Sequence, residues 1–421
     1  MVEAEVADGR LPPATKLPPV RELAAALEVS PATVAAAYRE LRQRGFVVTD
    51  GARGTSVAPA PPVRVKRVSQ LPTGVRDLSS GNPDPRLLPS LTDVLTRLEP
   101  DHRLYGVPAK LPELASLAAD GFAADDIRGD IAITGGAMDA IERALQTELR
   151  LGDRLVVEDP SWPRIADLVR SLGLVVEPVP VDDRGLDPHL LDAALRRGAR
   201  AVITTPRGQN PSSAATDTAR GRALRAVHAR YPDVLVIEDD YVAGVGGAKY
   251  IPVHRPKGRW AVVRSLSKVL GPDLRLALVA GDALTISRLE GRQRLGPGWI
   301  SCILQQTAAL LLKDGATARL LARAEQTYTE RRQALVGALA ARGVAAAGHS
   351  GLGVWVPLSD EAAAVRELLV AGWAVSPGER FRFSSSPGIR ITTANLEPDD
   401  AELLANAVAG LGHSAGSTYT A

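Results

Sequence analysis

Lysine is scarce in this chain: of its 50 basic residues only seven are lysine, so arginine meets most needs for positive charge. A lysine that directly follows an apolar run therefore points to a property arginine lacks. Lys268 stands in RSLSKVLGPDLRLAL, immediately after the run AVVRS. A Schiff base requires a primary amine able to shed its proton, which lysine provides and a guanidinium does not. Ser265 and Ser267 flank Lys268 as hydroxyl donors, and Arg275, further along the same segment, suits a bidentate grip on a phosphate. A solitary lysine near a strand end is more often a surface charge, so this motif depends on its company.

That company is present. ITGGAMDAIERAL runs from an apolar strand through Gly135 and Gly136 into a helix opening at Ala137, and the free N–H groups and dipole of such a turn suit a phosphate. EDPSWPRIADL places Trp162 after a strand, where a flat ring could stack on an aromatic ligand. TTPRGQNPSSAA carries Asn210 on a loop, able to donate to a phenolate oxygen. VIEDDYVAG puts Asp239 and Tyr241 at a strand end, the acid suited to a protonated ring nitrogen and the phenol to the same oxygen as Asn210. Each has a plainer reading: Trp162 as core, Asn210 as turn former, Asp239 as helix cap. Five such residue sets at the ends of successive strands argue for one ligand, because open α/β sheets bind along that edge.

The elements that must hold these residues are legible as a pattern. IAIT, RLVVED, LVVEPV, AVITT, VLVIED, AVVRS and LALVAG are continuous apolar runs separated by amphipathic stretches, which predicts a mostly parallel sheet covered by helices on both faces. Proline-rich APAPPVRVKRVSQLP has neither helical nor strand period and reads as a stiff linker. The chain therefore divides into a head over 1–58, a linker over 59–72 and a body over 73–415. Of 421 residues, 45% are hydrophobic and 23% charged, an ordinary globular balance without a run long enough to span a bilayer. No secretory signal opens the chain, and the single cysteine, Cys302, cannot form an internal disulfide, so a cytoplasmic protein without a membrane role or metal site is expected.

Net charge is only +2, yet residues 30–67 hold seven Arg or Lys against two acids. In PPVRELAAALEVSPATVAAAYRELRQRGFVVTD one helix is expected over 20–27 and a second over 31–44, with Ser30 as N-cap, Pro31 at the first helical position and Gly45 as the stop. The second helix carries Thr33, Tyr38, Arg39 and Arg42, as a recognition helix would, and FVVTDGARGTSVAP reads as a hairpin wing with Arg53 near its tip. A solvated helical hairpin packed on the body is the plainer alternative.

Along its whole length this head resembles the GntR-type winged helix-turn-helix, and the region from about Asp77 to Gly412 resembles fold-type I aminotransferases. Together they resemble the MocR branch of the GntR superfamily. The resemblance implies pyridoxal 5'-phosphate on Lys268, with Asp239 at its ring nitrogen, Tyr241 and Asn210 at its 3′ oxygen, and Trp162 stacked on the ring. It assigns the phosphate to Gly136, Ala137, Ser265, Ser267 and Arg275. Tyr105, in YGVPAKLPELASLA, would reach into a partner subunit's phosphate site, which implies a homodimer. Arg390, in SPGIRITTANL, and Arg164 would bind the carboxylate of a small-molecule amine or amino-acid effector. DNA would be faced by Arg21, Thr33, Tyr38, Arg39 and Arg53.

The sequence departs from the family in three places. The stretch before Gly9 is expected to be too short for the family's first helix, Pro31 stands where a basic residue often follows the serine cap, and VAGVGGAKY replaces acidic and aromatic residues, so a reshaped effector wall is expected. The favoured reading is a transcription regulator that senses an amine through its body. A working aminotransferase with a vestigial head, and a sensor of pyridoxal phosphate alone, are the alternatives.

Overall fold

The computed structural model describes residues 5, 11–43, 45–49, 54–58, 71–99 and 104–411. In the head, α1 (Val20–Ala26) and α2 (Pro31–Gln43) are joined by a turn in which Glu28 takes φ +54°. Ser30 caps α2 as expected, its Oγ accepting from Thr33 N at 3.1 Å. β1 (Val47–Thr49) pairs antiparallel with β2 (Thr55–Val57), and the 14–17 segment adds to the hairpin through Leu17 N to Thr55 O and Val57 N to Thr15 O. Leu17, Ala24, Val34, Tyr38, Val47 and Val57 close a small core of their own. Of the stretch before Gly9 only Glu5, in helical conformation, is among the described residues. Arg53 and most of the linker lie outside them.

The body is built on an eight-stranded sheet. In chain order its strands are β3 (Asp130–Thr134), β4 (Arg154–Asp159), β5 (Val175–Asp182), β6 (Gly185–Leu186), β7 (Ala199–Thr204), β8 (Leu235–Asp239), β9 (Arg259–Ser265) and β10 (Ala277–Gly281). They lie side by side as β3-β10-β9-β8-β7-β4-β5-β6. The central strands are parallel and almost wholly buried, which is why they read as unbroken apolar runs. β10 runs antiparallel to both β9 and β3. Its sequence, LALVAG, looks like the others because burial on two faces selects the same residues whichever way a strand points.

Helices cover both faces. On one side a large cluster includes Leu114 and Phe122 of α3 (Pro112–Ala123); on the other, Ile141 and Leu145 of α4 (Ala137–Glu148) join Ile165 and Val169 of α5 (Pro163–Ser171). A third cluster forms the smaller C-terminal layer, where β11 (Gly353–Pro357), β12 (Ser376–Pro377) and β13 (Gly388–Thr392) make an antiparallel sheet in the order β11-β13-β12.

Candidate functional site

Register brings the phosphate-binding candidates together. Thr134 at the end of β3 pairs with Ala277 at the start of β10, and Ala277 pairs on its other side with Ser265 at the end of β9. Because β10 is antiparallel, its beginning lies at the edge where its neighbours end. Gly136, Arg275 and Ser265 thus converge although long stretches of chain separate them. Gly136 takes φ +108°, and a Cβ there would lie 2.8 Å from an Arg275 guanidinium nitrogen, so a side chain at this position would obstruct the arginine. Arg275 itself adopts φ +48°, ψ +49°, a conformation sparsely populated by non-glycine residues and frequent at functional sites. Ala137 opens α4 at this point, and Ser265 Oγ accepts from Ser267 N at 3.3 Å, which leaves its proton to donate.

Lys268 ends the short turn Leu266–Lys268 that follows β9. Its Nζ donates to Gly81 O at 2.5 Å. Burial lowers its pKa to about 8, assisted by the charge of Arg390 and opposed by Asp239, so a useful share of the amine is unprotonated near neutrality. Asp239 ends β8 directly behind. Burial pushes it up to about 7, with Asp240 and Glu158 adding to the rise and Lys268 opposing it. Its Oδ1 is buried without a hydrogen-bond partner among the described residues. Such an atom costs free energy unless a ligand donor meets it.

Tyr241 donates to Gly208 O at 2.7 Å, and burial raises its phenol well above the ordinary value. Asn210 Oδ1 accepts from Arg390 at 3.1 Å, leaving the amide N–H groups to donate. Arg390, on β13, also donates to Ser79 O and to Ser376 Oγ, and its Cζ lies 5.0 Å from the centre of the Phe381 ring. Burial lowers its pKa to about 10.

A cleft of about 430 Å³ joins these groups. Ala137, Trp162, Arg164, Asn210, Asp239 and Tyr241 line it, as do Ser265, Ser267, Lys268, Arg275 and Arg390. Arg164 lies over Trp162, with 5.7 Å from its Cζ to the ring centre. Tyr105 is absent from this lining: it is 91% exposed and meets Trp299 edge-on, with ring centres 5.4 Å apart.

Two expectations are corrected. Within VAGVGGAKY no residue lines the cleft; Val242 and Val245 are buried, Val242 packs closely on Gly208, Gly247 lies against Thr329, and Gly246 O accepts from Ser350 Oγ and Gly351 N. The segment shapes packing behind the site and not its effector wall. Tyr38 does not face DNA: it is buried in the head's core and its hydroxyl donates to Pro18 O at 2.8 Å, locking α2 to the chain before α1.

Arg21, Thr33 and Arg39 are exposed on the head, although the Thr33 hydroxyl also bonds Ser30 Oγ at 2.8 Å. Sequence reasoning missed Glu158, Gln209, Arg380 and Phe381, all of which line the cleft. Glu158 and Gln209 are buried behind it, with 3.0 Å between Gln209 Nε2 and Glu158 Oε2. Nothing in their types or spacing marked them. The SPGER turn that ends at Arg380 signals only a loop.

The family model for aminotransferase class I and II matches residues 73–408, and that for bacterial regulatory proteins, gntR family, matches residues 1–57. The chain is 40% identical over 408 residues to the vitamin B6 salvage pathway transcriptional repressor PtsJ of Salmonella typhimurium, which covers 96% of this chain and 95% of that protein. It is 29% identical over 436 residues to the HTH-type transcriptional regulator TauR of Rhodobacter capsulatus, covering 90% and 88%. The fold is shared with the kynurenine aminotransferase of Pyrococcus horikoshii (TM-score 0.74, 22% identity, 82% of this chain and 92% of that one). It is shared too with an archaeal alanine:glyoxylate aminotransferase (TM-score 0.73, 25% identity, 81% and 91%). The unpartnered Asp239 oxygen, the glycine that keeps Arg275 clear and a lysine poised to lose its proton fit pyridoxal phosphate, the cofactor of this fold. Among the described residues no helix is long and apolar enough to cross a membrane, and no cluster could hold a metal ion.

Proposed function

We propose, on the premise that the chain belongs to the MocR type of pyridoxal-phosphate-dependent transcription regulators, that its body binds an amine or amino acid and thereby alters how its head engages DNA. One observation carries the reading: Arg390, half-buried at the cleft, makes no ion pair with a carboxylate among the described residues, and its buried Nε has no hydrogen-bond partner among them. A buried guanidinium without a counter-ion is costly and is relieved by a ligand carboxylate.

Bound in the cleft, pyridoxal phosphate supplies a reactive carbonyl and an electron-withdrawing ring. Lys268 would provide the amine that holds it, an amine that burial leaves partly unprotonated near neutral pH. Asp239 takes the proton-bearing ring nitrogen. Tyr241 and Asn210 would donate to the ring oxygen, Trp162 would stack on the ring, and Gly136, Ala137, Ser265, Ser267 and Arg275 would hold the phosphate. Arg390 orients the incoming α-carboxylate, and Arg164 faces the rest of the bound effector. The exposed Tyr105, beside exposed Leu104 and Val107, serves a second copy's phosphate site, which makes the working form a homodimer. Arg21, Thr33, Arg39 and Arg53 face DNA, and the two domains are coupled by roughly 1–3 kcal/mol.

The test is a gel shift of the full, cofactor-loaded chain on its own upstream region, with and without a panel of amino acids. The 40% identity to a vitamin B6 salvage repressor makes genes of that pathway the next operators to try. Binding that weakens steeply with salt, and that changes with one amino acid in the native chain but not in Arg390→Ala, supports the reading. Absence of DNA binding together with keto-acid production on the order of 1–10³ per second would replace it with an aminotransferase.

A further inference from the structure

The charges lining the cleft do not balance, and the surplus lies away from the cofactor groups. Its carboxylates among the described residues are Glu158 and Asp239. Glu158 is consumed by donors from Thr204 Oγ1 at 2.7 Å, Thr205 N at 2.9 Å and Gln209 Nε2 at 3.0 Å, and Asp239 answers the cofactor's ring nitrogen. Against them stand Lys268, Arg275, Arg390, Arg164 and Arg380. The first two serve the cofactor and Arg390 one carboxylate. Arg164 and Arg380 remain, and neither has a carboxylate partner among the described residues. Both are exposed where they line the cleft, unlike Arg207, Arg264 and Arg331, which are buried and matched: Arg207 and Arg264 share Asp240, and Arg331 has Asp84.

The placement of Arg380 is built. It ends the short turn Gly378–Arg380, and the loop that follows is tied to the end of β4 by one carboxylate. Asp159 accepts from Phe383 N at 2.9 Å, Ser384 N at 2.8 Å, Ser384 Oγ at 2.8 Å, Ser385 N at 3.0 Å and Ser385 Oγ at 2.8 Å, while Ser161 N donates to Phe381 O at 2.7 Å. Six bonds thus dock the C-terminal layer's loop beside Trp162 and Arg164. Arg380 is close enough to Arg390 for its charge to disfavour the protonated form of that residue, second to burial.

We infer that Arg164 and Arg380 form a second anion subsite, so that the effector is an amino acid whose side chain carries a second acidic group. Arg390 holds the α-carboxylate, Arg164 and Arg380 the distal acid, and Asp159 acts as a positioning residue that holds the Arg380 loop. The inference rests on the amine-sensing reading above and specifies its ligand class.

The experiment is a spectral titration of the full, cofactor-loaded chain with near-isosteric pairs: L-glutamate against L-glutamine, and L-aspartate against L-asparagine. One acid of the pairs is expected to bind at least about tenfold more tightly than its amide, the scale of a hydrogen bond to a charged group. Arg380→Gln and Arg164→Gln are each expected to remove most of that preference by weakening the acid while leaving the amide's affinity in place. Asp159→Asn is expected to narrow the preference too, with the Lys268-linked absorbance retained as evidence of folding. Acid and amide binding equally well, or the arginine variants weakening both alike, overturns the subsite while leaving amine sensing intact. If no amino acid of any kind changes the spectrum, the sensing reading fails and the subsite with it.

Discussion

Asp239 and Asp240 are neighbours in sequence and opposites in environment. Asp240, fully buried, is gripped by Arg207 at 2.6 Å and Arg264 at 2.9 Å, and the same two arginines reach Asp125. Asp239 has an oxygen that meets nothing and a carboxyl pushed up to about 7 by burial first and by Asp240 and Glu158 after it. The two carboxylates diverge where β8 ends, one into a satisfied ionic cluster, the other to the cleft. Polarity that is balanced holds the fold; polarity left unbalanced at a cleft is where a ligand is owed. The same contrast separates paired Arg207 from Arg390, and buried Tyr38 of the head from its exposed Arg39.

The contrast can be broken at several points. The largest effect is expected at Lys268: Lys268→Ala should abolish the borohydride-reducible link to pyridoxal phosphate, and peptide mapping of the reduced native chain should find the label on this lysine alone. A label on another lysine would undo the site. Next is Asp240→Ala, which removes the carboxylate that two buried guanidiniums share and leaves them only Asp125, and is expected to cost roughly 3–5 kcal/mol, read as a lowered denaturation midpoint. Asp239→Asn should leave the cofactor-free fold in place and impair cofactor retention, so equal destabilisation by the two variants would erase the distinction.

The titration of Asp239 sharpens it further. Its folded pKa of about 7 lies above the ordinary 3.8, so between these values the folded chain binds the proton more tightly than the unfolded one. Stability of the cofactor-free protein from this group is full below about pH 4, declines as pH rises towards 7 and is level beyond. Denaturation midpoints across that window should show this share of the decline vanish in Asp239→Asn. Smallest is Tyr38→Phe, which removes the bond to Pro18 and is expected to cost the head about 1 kcal/mol while leaving the affinity of the folded form for DNA unchanged. A direct loss of affinity would return Tyr38 to the interface.

How far this protein could be read before folding depends on the kind of information involved. That Lys268, Asp239, Asn210 and Trp162 share one cleft was legible, the lysine because only a primary amine suits the proposed chemistry and the others because each stands at or after the end of an apolar run, at one sheet edge. The winged head was legible from caps, a turn and periodicity, all local. What lay beyond reach was non-local. The direction of β10 decides whether Arg275 meets Gly136, and burial on both faces hides direction from composition. Tyr38 and Arg39 are adjacent on one helix, and whether the phenol turns inward depends on which stripe the hairpin covers. The glycines of VAGVGGAKY suggested a thinned wall because sequence shows small residues without showing what they approach. Arg380 carried no motif at all: its meaning comes from a loop docked on a strand end more than two hundred residues earlier in the chain, by a carboxylate, Asp159, whose five partners are set by packing. Chemical identity is written residue by residue, whereas charge balance in a cleft is a property of surroundings that exist only after the chain has closed around them.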